Sequence, residues 1–164
     1  MHNINLKYNN KRKMALLVGG LFFLFLIAII IPEWFIIYLP FSGLSDFFAN
    51  NIIYRLISAV VILYFIFTGT FYYTANIDPY VIQITSYRVL LTLFKKKDYV
   101  DIPHTMLIDY SFFDRPFSLN KTLMLKIKTQ SGKKVVKRFN ITLMSEKEIV
   151  RISKVFDRII VKNN

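Results

Sequence analysis

Two long apolar runs constrain this chain more than any other feature of its sequence. The first, residues 14–31, reads MALLVGGLFFLFLIAIII and has no charged side chain, and the second, residues 52–73, has only Arg55. A helix needs about 20 apolar residues to cross the roughly 30 Å of hydrocarbon in a bilayer. Aromatic residues extend the first run, so the sequence predicts two transmembrane helices, over residues 14–38 and 52–74.

A secretory signal peptide is the alternative interpretation of the first run, because the basic residues Lys7, Lys11, Arg12 and Lys13 precede it. Its apolar part, however, exceeds the usual about 7–15 residues of a signal-peptide core, and no small-residue cleavage site follows. The second run also favours membrane residence, since helices buried in soluble proteins seldom stay apolar for so long.

The distribution of Lys and Arg predicts the orientation of the two helices. The tail, residues 1–13, has four of these residues, the connection over residues 39–51 has none, and the chain after residue 73 has 17 against 8 Asp or Glu. Basic flanks stay in the cytoplasm. We therefore expect a multi-pass protein of a bacterial inner membrane, with a basic cytoplasmic tail, an external loop over residues 39–51 and a cytoplasmic domain over residues 75–164.

Aromatic and basic side chains lie near the predicted helix ends, where they suit the membrane–water interface. Trp34 and Tyr38 are predicted at the outer interface, and Tyr72 and Tyr73 at the inner one. Arg55 lies close to the start of its run, so its long side chain is expected to reach the headgroups.

The cytoplasmic domain has the pattern of short antiparallel strands. Runs rich in β-branched and aromatic residues are separated by turn residues, among them Gln130-Ser131-Gly132. The clearest alternation puts Leu123, Leu125 and Ile127 on one face of a strand, with Lys126 and Lys128 on the other. The predicted strands cover residues 81–85, 87–94, 98–102, 106–113, 121–129 and 133–141.

The end of the chain changes to a helical period. Ser145-Glu146-Lys147-Glu148 is a capping-box sequence, and apolar residues follow at helical spacing. One amphipathic helix is therefore expected to pack on the sheet. The sequence thus predicts an α+β membrane protein in which two transmembrane helices precede an antiparallel domain closed by a C-terminal helix.

Three short segments resemble a bacterial family of membrane proteins with pleckstrin-homology-like (PH-like) domains. They are residues 83–90, QITSYRVL, residues 100–103, VDIP, and residues 113–117, FDRPF. The resemblance covers roughly residues 50–161, and many members of the family carry a two-helix hairpin directly before the domain. It implies a PH-like antiparallel β-roll with a C-terminal capping helix, and it implies no catalytic residues.

The residue types needed for catalysis or metal binding are sparse. The chain has no cysteine, and the domain has one histidine, His104, which is interpreted as a polar loop residue because metal sites usually need three or four ligands. No glycine-rich phosphate loop is present. The sequence predicts no enzyme, metal site or cofactor. The carboxylates interpreted as surface ion-pair and turn residues are Asp98, Asp101, Asp109 and Asp114.

Basic clusters are the candidate contact sites of the domain. Lysines near an anionic leaflet contribute about 1 kcal/mol each, so several together could bind headgroups, and the same charges suit a protein partner. A solvated surface without a ligand is the alternative, and nucleic acid is excluded because RNA readers expose aromatic residues on a sheet face. The candidate residues are Lys95, Lys96, Lys97, Lys126, Lys128, Lys133, Lys134, Lys137 and Arg138.

These features predict a non-enzymatic accessory or scaffold protein. Its partners would be the lipid bilayer and a membrane protein or a second copy of the chain. The alternative is a small oligomeric transport or channel component, although only Ser58, Thr68 and Thr70 would offer polar groups at depth in the membrane.

Overall fold

The computed structural model describes residues 5–40, 42–90 and 97–163. The chain forms two compact units. The β-domain contains residues 1–14 and 69–164, and the helical unit contains residues 15–68. The predicted contact residues Lys95 and Lys96 lie outside the described residues.

One long helix, Lys11–Tyr38, begins in the β-domain and continues through the helical unit. It consists of α1 (Lys11–Phe25), a π-helical turn (Leu26–Ile30) and α2 (Ile31–Tyr38). Pro32 explains the π-helical turn, because proline has no N–H and its ring displaces the carbonyl group four residues earlier. The helix is long and apolar enough to cross a bilayer.

Two further helices complete the helical unit. Helix α3 (Gly43–Asn50) is capped by Ser42, whose hydroxyl accepts a hydrogen bond from the Ser45 amide at 3.2 Å, and α4 (Ile52–Thr68) follows at a bend of 60°. The bent pair α3–α4 has the length and composition of a second span only when both helices are counted together. The predicted external loop over residues 39–51 therefore contains a helix.

The last helix of this unit ends at Thr68, six residues before the predicted end at residue 74. Gly69 follows with a φ of +76°, the left-handed conformation that commonly ends helices. The next segment is a strand. Tyr72 and Tyr73 thus lie in a sheet, and their predicted place at the end of a membrane helix is corrected.

In the part of the β-domain that the structure describes, the chain forms seven strands and a C-terminal helix. The four-stranded sheet has the antiparallel order β1-β2-β3-β4, and the three-stranded sheet has the antiparallel order β5-β6-β7. The strands are β1 (Leu6–Asn9), β2 (Phe71–Ile77), β3 (Val81–Arg88), β4 (Asp98–Pro103), β5 (Leu107–Asp114), β6 (Asn120–Lys128) and β7 (Lys134–Thr142). A 3₁₀ turn, His104–Met106, joins β4 to β5, and α5 (Glu146–Asn163) ends the described chain.

The predicted α+β class, with antiparallel sheets and a C-terminal helix, is confirmed. The predicted strands over residues 98–141 agree with β4 to β7 to within one residue at each end. The two predicted strands over residues 81–94 are one strand, β3, as far as Arg88, and residues 91–94 lie outside the described residues. The sequence pattern did not indicate β1 and β2.

The core of the β-domain lies between the two sheets and α5. The predicted alternation is confirmed on β6, where Leu123, Leu125 and Ile127 are buried while Lys126 and Lys128 are exposed. The capping box is also confirmed: the Glu148 amide donates to the Ser145 hydroxyl at 3.3 Å, and the Glu148 carboxylate accepts from the Ser145 amide at 2.7 Å. Helix α5 buries Ile152, Phe156 and Ile159 in this core.

Candidate functional site

Asn10 occupies the point where the chain leaves β1 for α1, and its side chain is fully buried. The Asn10 amide group donates to the carbonyl oxygens of Phe71 and Thr142, both at 2.9 Å, and its side-chain oxygen accepts from the Tyr73 amide at 2.9 Å. These bonds join the N-terminal segment to β2 and to β7. We call the place around Asn10 and Gly69 the junction. Through Gly69 the chain returns from α4 to β2.

Lys13 adds a charged contact beside the junction. Its ammonium group donates to the Leu143 carbonyl oxygen at 3.0 Å and to the two carboxylate oxygens of Glu148 at 3.2 and 3.3 Å. The same carboxylate accepts from the Ser145 amide and, at 3.4 Å, from the Tyr73 hydroxyl. The first turn of α1 is thereby attached to the start of α5.

The pKa values of the two acids in this cluster move in opposite directions. Burial acts to raise the pKa of Glu148, but hydrogen bonds from the Ser145 amide and the Lys13 ammonium group outweigh it, so the pKa of Glu148 is lowered. Burial, followed by the nearby Glu148 charge, raises the pKa of Tyr73. At neutral pH Glu148 is therefore ionised and the Tyr73 hydroxyl is neutral, so the hydroxyl can donate to the carboxylate.

The β5–β6 loop is also tied to the junction. The Asn120 side-chain amide donates to the Gly69 carbonyl oxygen at 2.9 Å. The Thr142 hydroxyl donates to the Asn120 side-chain oxygen and accepts from the Phe71 amide, the latter at 2.7 Å. Strands β2, β6 and β7 therefore share one buried polar network at this end of the β-domain.

The predicted basic residues at the β6–β7 turn lie away from the junction. Lys97, in contrast, directly precedes Asp98, which pairs with Ser86 beside Tyr73 at the junction end of the four-stranded sheet. Strand β6 begins at the junction with Asn120, so its other end at Lys128 lies roughly 25 Å farther along the strand at about 3.3 Å per residue. Lys126 pairs with Asp109 at 3.4 Å, where both side chains are exposed. Among the described candidates, Lys97 directly precedes β4, Lys126 and Lys128 lie on β6, Lys133 lies in the turn, and Lys134, Lys137 and Arg138 lie on β7.

Strand β7 changes its surroundings along its length. Near the junction it contacts the four-stranded sheet, where the Ser86 hydroxyl donates to the Asn140 carbonyl oxygen. Residues 134–138 are exposed on both faces of the strand. In the described part of the chain, β4 ends the four-stranded sheet and β7 ends the three-stranded sheet. The edges of the two sheets therefore separate along residues 134–138 of β7.

An open cleft lies between these edges, and we call it the β4–β7 cleft. One part, of about 600 Å³, is lined by apolar residues that include Ile102, Ile127 and Val135, together with Lys137. A second part, of about 450 Å³, shares Lys137 and adds Tyr99 and Arg138. The structure thus brings Lys97, Lys137 and Arg138 to the cleft, and Asp98 and Asp101 line it as well. The predicted residues that do not line it are Lys126, Lys128, Lys133 and Lys134.

His104 and the carboxylates of Asp101, Asp109 and Asp114 are held in structural contacts. The His104 backbone donates to the Tyr80 carbonyl oxygen at 3.0 Å, and burial lowers the pKa of its imidazole. Asp101 accepts from the Tyr99 hydroxyl at 2.9 Å, and Asp114 pairs with Lys121 at 2.6 Å. Over residues 5–40, 42–90 and 97–163, no group of three or more His, Cys, Asp or Glu is placed to hold a metal ion.

The helical unit contains an ion pair that sequence reasoning did not foresee. The Arg55 guanidinium donates to the Glu33 carboxylate at 2.8 Å, and a second guanidinium nitrogen donates to the Tyr54 hydroxyl at 3.2 Å. The predicted contact of Arg55 was with headgroups. The signal that could have indicated the pair is one charge of each sign near the facing ends of the two apolar runs.

No protein-family model, curated protein or solved structure matches this chain. The resemblance to the PH-like family therefore stays a prediction. Sequence reasoning also missed Asn10 and Asn120, because the partners of their side chains lie between 22 and 132 residues away in the chain. Such distant hydrogen bonds leave no local pattern in the sequence.

Proposed function

We propose that this chain is a non-enzymatic integral protein of a bacterial inner membrane. In this proposal the helical unit is a two-helix hairpin, and the β-domain is a cytoplasmic PH-like domain. It acts as an accessory or scaffold that binds an acidic surface of another membrane protein at the β4–β7 cleft. The observation that carries the proposal is the pairing of β1, which precedes the first helix, with β2, which follows the last one.

Paired strands must lie on the same side of a bilayer. Leu6 is paired with Ile77 and Asn9 with Thr74, so the two ends of the helical unit share one compartment. If Lys11–Tyr38 crosses the membrane, the chain must cross back before residue 70. The 17 residues of α4 extend roughly 25 Å at about 1.5 Å per residue, and α3 adds length to this return. This supports the hairpin.

The same pairing argues against a cleaved signal peptide. Cleavage after the first helix would remove β1 from the four-stranded sheet. It would also remove Asn10 and leave the carbonyl oxygens of Phe71 and Thr142 without these hydrogen bonds. A buried polar group without a partner is costly, so a retained first helix suits this β-domain better.

The position of the basic residues at the β6–β7 turn supports a protein partner over headgroups of the same membrane. Lys128 and Lys134 lie opposite each other at the turn end of the β6–β7 hairpin. This is the end of β6 that is farthest from the junction. That separation of roughly 25 Å exceeds the Debye length of about 8 Å at physiological ionic strength. Attraction to the leaflet at the junction would be weak there, whereas an acidic protein surface could approach the cleft directly.

An anchor explains the helical unit better than a pore. Glu33 and Arg55 neutralise each other at 2.8 Å. A conducting path normally presents polar or charged groups to water, and a paired charge is less suited to that task. The oligomeric transport or channel component remains the alternative, and ion flux in liposomes containing the purified protein would support it.

Site-directed labelling tests the hairpin. The chain has no cysteine, so single-cysteine variants can be labelled without background. Lys7→Cys on β1 and Gln130→Cys in the β6–β7 turn are expected to react with a membrane-impermeant maleimide only after cells are lysed. Leu44→Cys in α3, where the leucine is 52% exposed, is expected to react in intact spheroplasts. Labelling of all three positions from the same side would contradict the hairpin.

Photo-crosslinking tests the partner surface. A photoreactive amino acid in place of Val136, which is 47% exposed on β7, is expected to form a crosslink to a membrane protein in cells. Charge reversal by Lys137→Glu and Arg138→Glu, both in the lining of the cleft, should reduce that crosslink at least about tenfold, because complementary charge steers the encounter. The control pair, Lys154→Glu and Arg158→Glu, makes the same charge change on exposed positions of α5. Equal crosslinking by both pairs would rule out the cleft as a charge-dependent site.

A further inference from the structure

The β5–β6 loop, residues 115–119, exposes large apolar side chains to water. Phe117 is 94% exposed and Leu119 is 47% exposed, and Phe113 at the end of β5 is 49% exposed. Single exposed apolar residues are common on protein surfaces, but a cluster within seven positions marks a contact surface more often. The β5–β6 loop is therefore a candidate contact surface in its own right.

The backbone of the loop holds Phe117 in a conformation that favours glycine. Its φ is +56°, a region that bulky side chains rarely adopt and that glycine adopts without steric cost. The turn itself is closed by backbone groups, since the Ser118 amide donates to the Arg115 carbonyl oxygen at 3.3 Å and the Arg115 amide donates to the Asn120 carbonyl oxygen at 3.2 Å. A bulky residue held in such a strained backbone conformation points to a functional role.

The loop lies at the junction. Asn120, directly after the loop, donates to the Gly69 carbonyl oxygen at 2.9 Å, and the Leu119 carbonyl oxygen accepts from the Leu143 amide at 3.0 Å. Gly69 follows Thr68, the last residue of α4. The connection over residues 69–70 is short, with a reach of at most about 3.6 Å per residue. In the proposed function, on which this inference rests, the junction end is the end of the β-domain nearest the bilayer.

We propose that the β5–β6 loop inserts Phe117 and Leu119 into the interface of the bilayer in which the helical unit is anchored. Aromatic and aliphatic side chains bind there by entering the headgroup–acyl boundary to a depth of about 5–10 Å. Arg115 supplies a cation for lipid phosphates at the edge of the loop. The contact orients the β-domain on the membrane and keeps the far end of its β6–β7 hairpin in the cytoplasm.

Tryptophan fluorescence tests this proposal in the full-length protein. The chain has one tryptophan, Trp34, so a Trp34→Phe background carries a single reporter at Phe117→Trp. The matched control is Tyr80→Trp, because Tyr80 is 78% exposed in the β2–β3 turn, roughly 20 Å along β2 from the junction. The proteins are reconstituted in phosphatidylcholine–phosphatidylglycerol vesicles with and without bromine on the upper acyl chains.

The tryptophan at position 117 is expected to emit at shorter wavelength than the one at position 80 and to lose about half of its emission to brominated lipid. The control at position 80 should show neither effect. Leu119→Trp gives the same readout if Phe117→Trp does not fold. Solvent-like emission without quenching at both loop positions overturns the proposal. A blue shift without bromine quenching also overturns it, because a protein surface would then cover the loop.

Trp34 of the unaltered protein separates failure of this inference from failure of the proposed function. Quenching of Trp34 by brominated lipid with no quenching at position 117 would overturn the loop contact alone. If Trp34 is not quenched either, the membrane placement of the helical unit is wrong, and both proposals are overturned together.

Discussion

Replacing Asn10 with alanine is expected to lower the free energy of unfolding of the β-domain by roughly 3–5 kcal/mol. The substitution leaves three buried backbone groups without their partner, and each such group costs about 1–3 kcal/mol. These groups are the carbonyl oxygens of Phe71 and Thr142 and the amide of Tyr73. Because Asn10 is fully buried, water cannot replace the lost hydrogen bonds without opening the sheet. Urea unfolding in a mild detergent, followed by circular dichroism, measures the loss.

Asn9→Ala is the matched control for this prediction. Asn9 is the same residue type at the adjacent position, but its side chain is exposed, and it accepts one hydrogen bond, from the Lys11 amide at 3.1 Å. Loss of a single exposed capping contact should cost about 1 kcal/mol or less. Equal losses in the two variants would show that Asn10 is not the residue that joins the N-terminal segment to β2 and β7.

Local patterns explain which parts of the β-domain could be predicted. Leu123, Leu125 and Ile127 alternate with polar residues, and the hydrogen bonds of Ser145 and Glu148 lie within four residues of each other in the chain. Both signals depend only on neighbouring residues. The strands after residue 97 and helix α5 were therefore predicted correctly.

The remainder of the fold depends on contacts between distant residues. Strand β1 has four residues and becomes a strand by pairing with β2, about 70 residues later. The start of β2 continues the second apolar run, so its aromatic residues at positions 71–73 have the composition of a membrane helix. Only the left-handed turn at Gly69 separates the two structures. Hydropathy cannot detect such a turn.

The candidate contact residues show the same division. Composition predicts a basic surface, because Lys and Arg outnumber Asp and Glu after residue 73. The separation of Lys128 from the junction follows from the direction of β6, which is set by the bond between Asn120 and Gly69. That bond turns a general expectation of headgroup or protein contacts into the narrower proposal of a partner surface on β7.

Replacing Glu148 with glutamine is expected to cost about 1–3 kcal/mol of stability at pH 7, and less at acidic pH. A carboxylate that accepts charge-assisted hydrogen bonds contributes more than a neutral amide in the same place. In the folded protein the pKa of Glu148 is lowered from its ordinary value of 4.5, because the Ser145 amide and Lys13 outweigh the effect of burial. The carboxylate therefore stabilises the fold fully above about pH 4.5, and this stabilisation is lost as the pH falls through the lower folded pKa.

The difference in unfolding free energy between the wild type and Glu148→Gln should accordingly narrow as the pH is lowered from 7 to below 4.5. Urea unfolding across this range measures it. Glu146→Gln is the control, since Glu146 begins the same helix and pairs with Lys121 while its side chain is 76% exposed, so its substitution should change stability by less than about 1 kcal/mol. A constant difference between Glu148→Gln and the wild type across this range would mean that the carboxylate charge does not hold Lys13 to α5. In that case, the attachment of α1 to the β-domain would rest on the Asn10 hydrogen bonds and on the contact of Lys13 with Leu143.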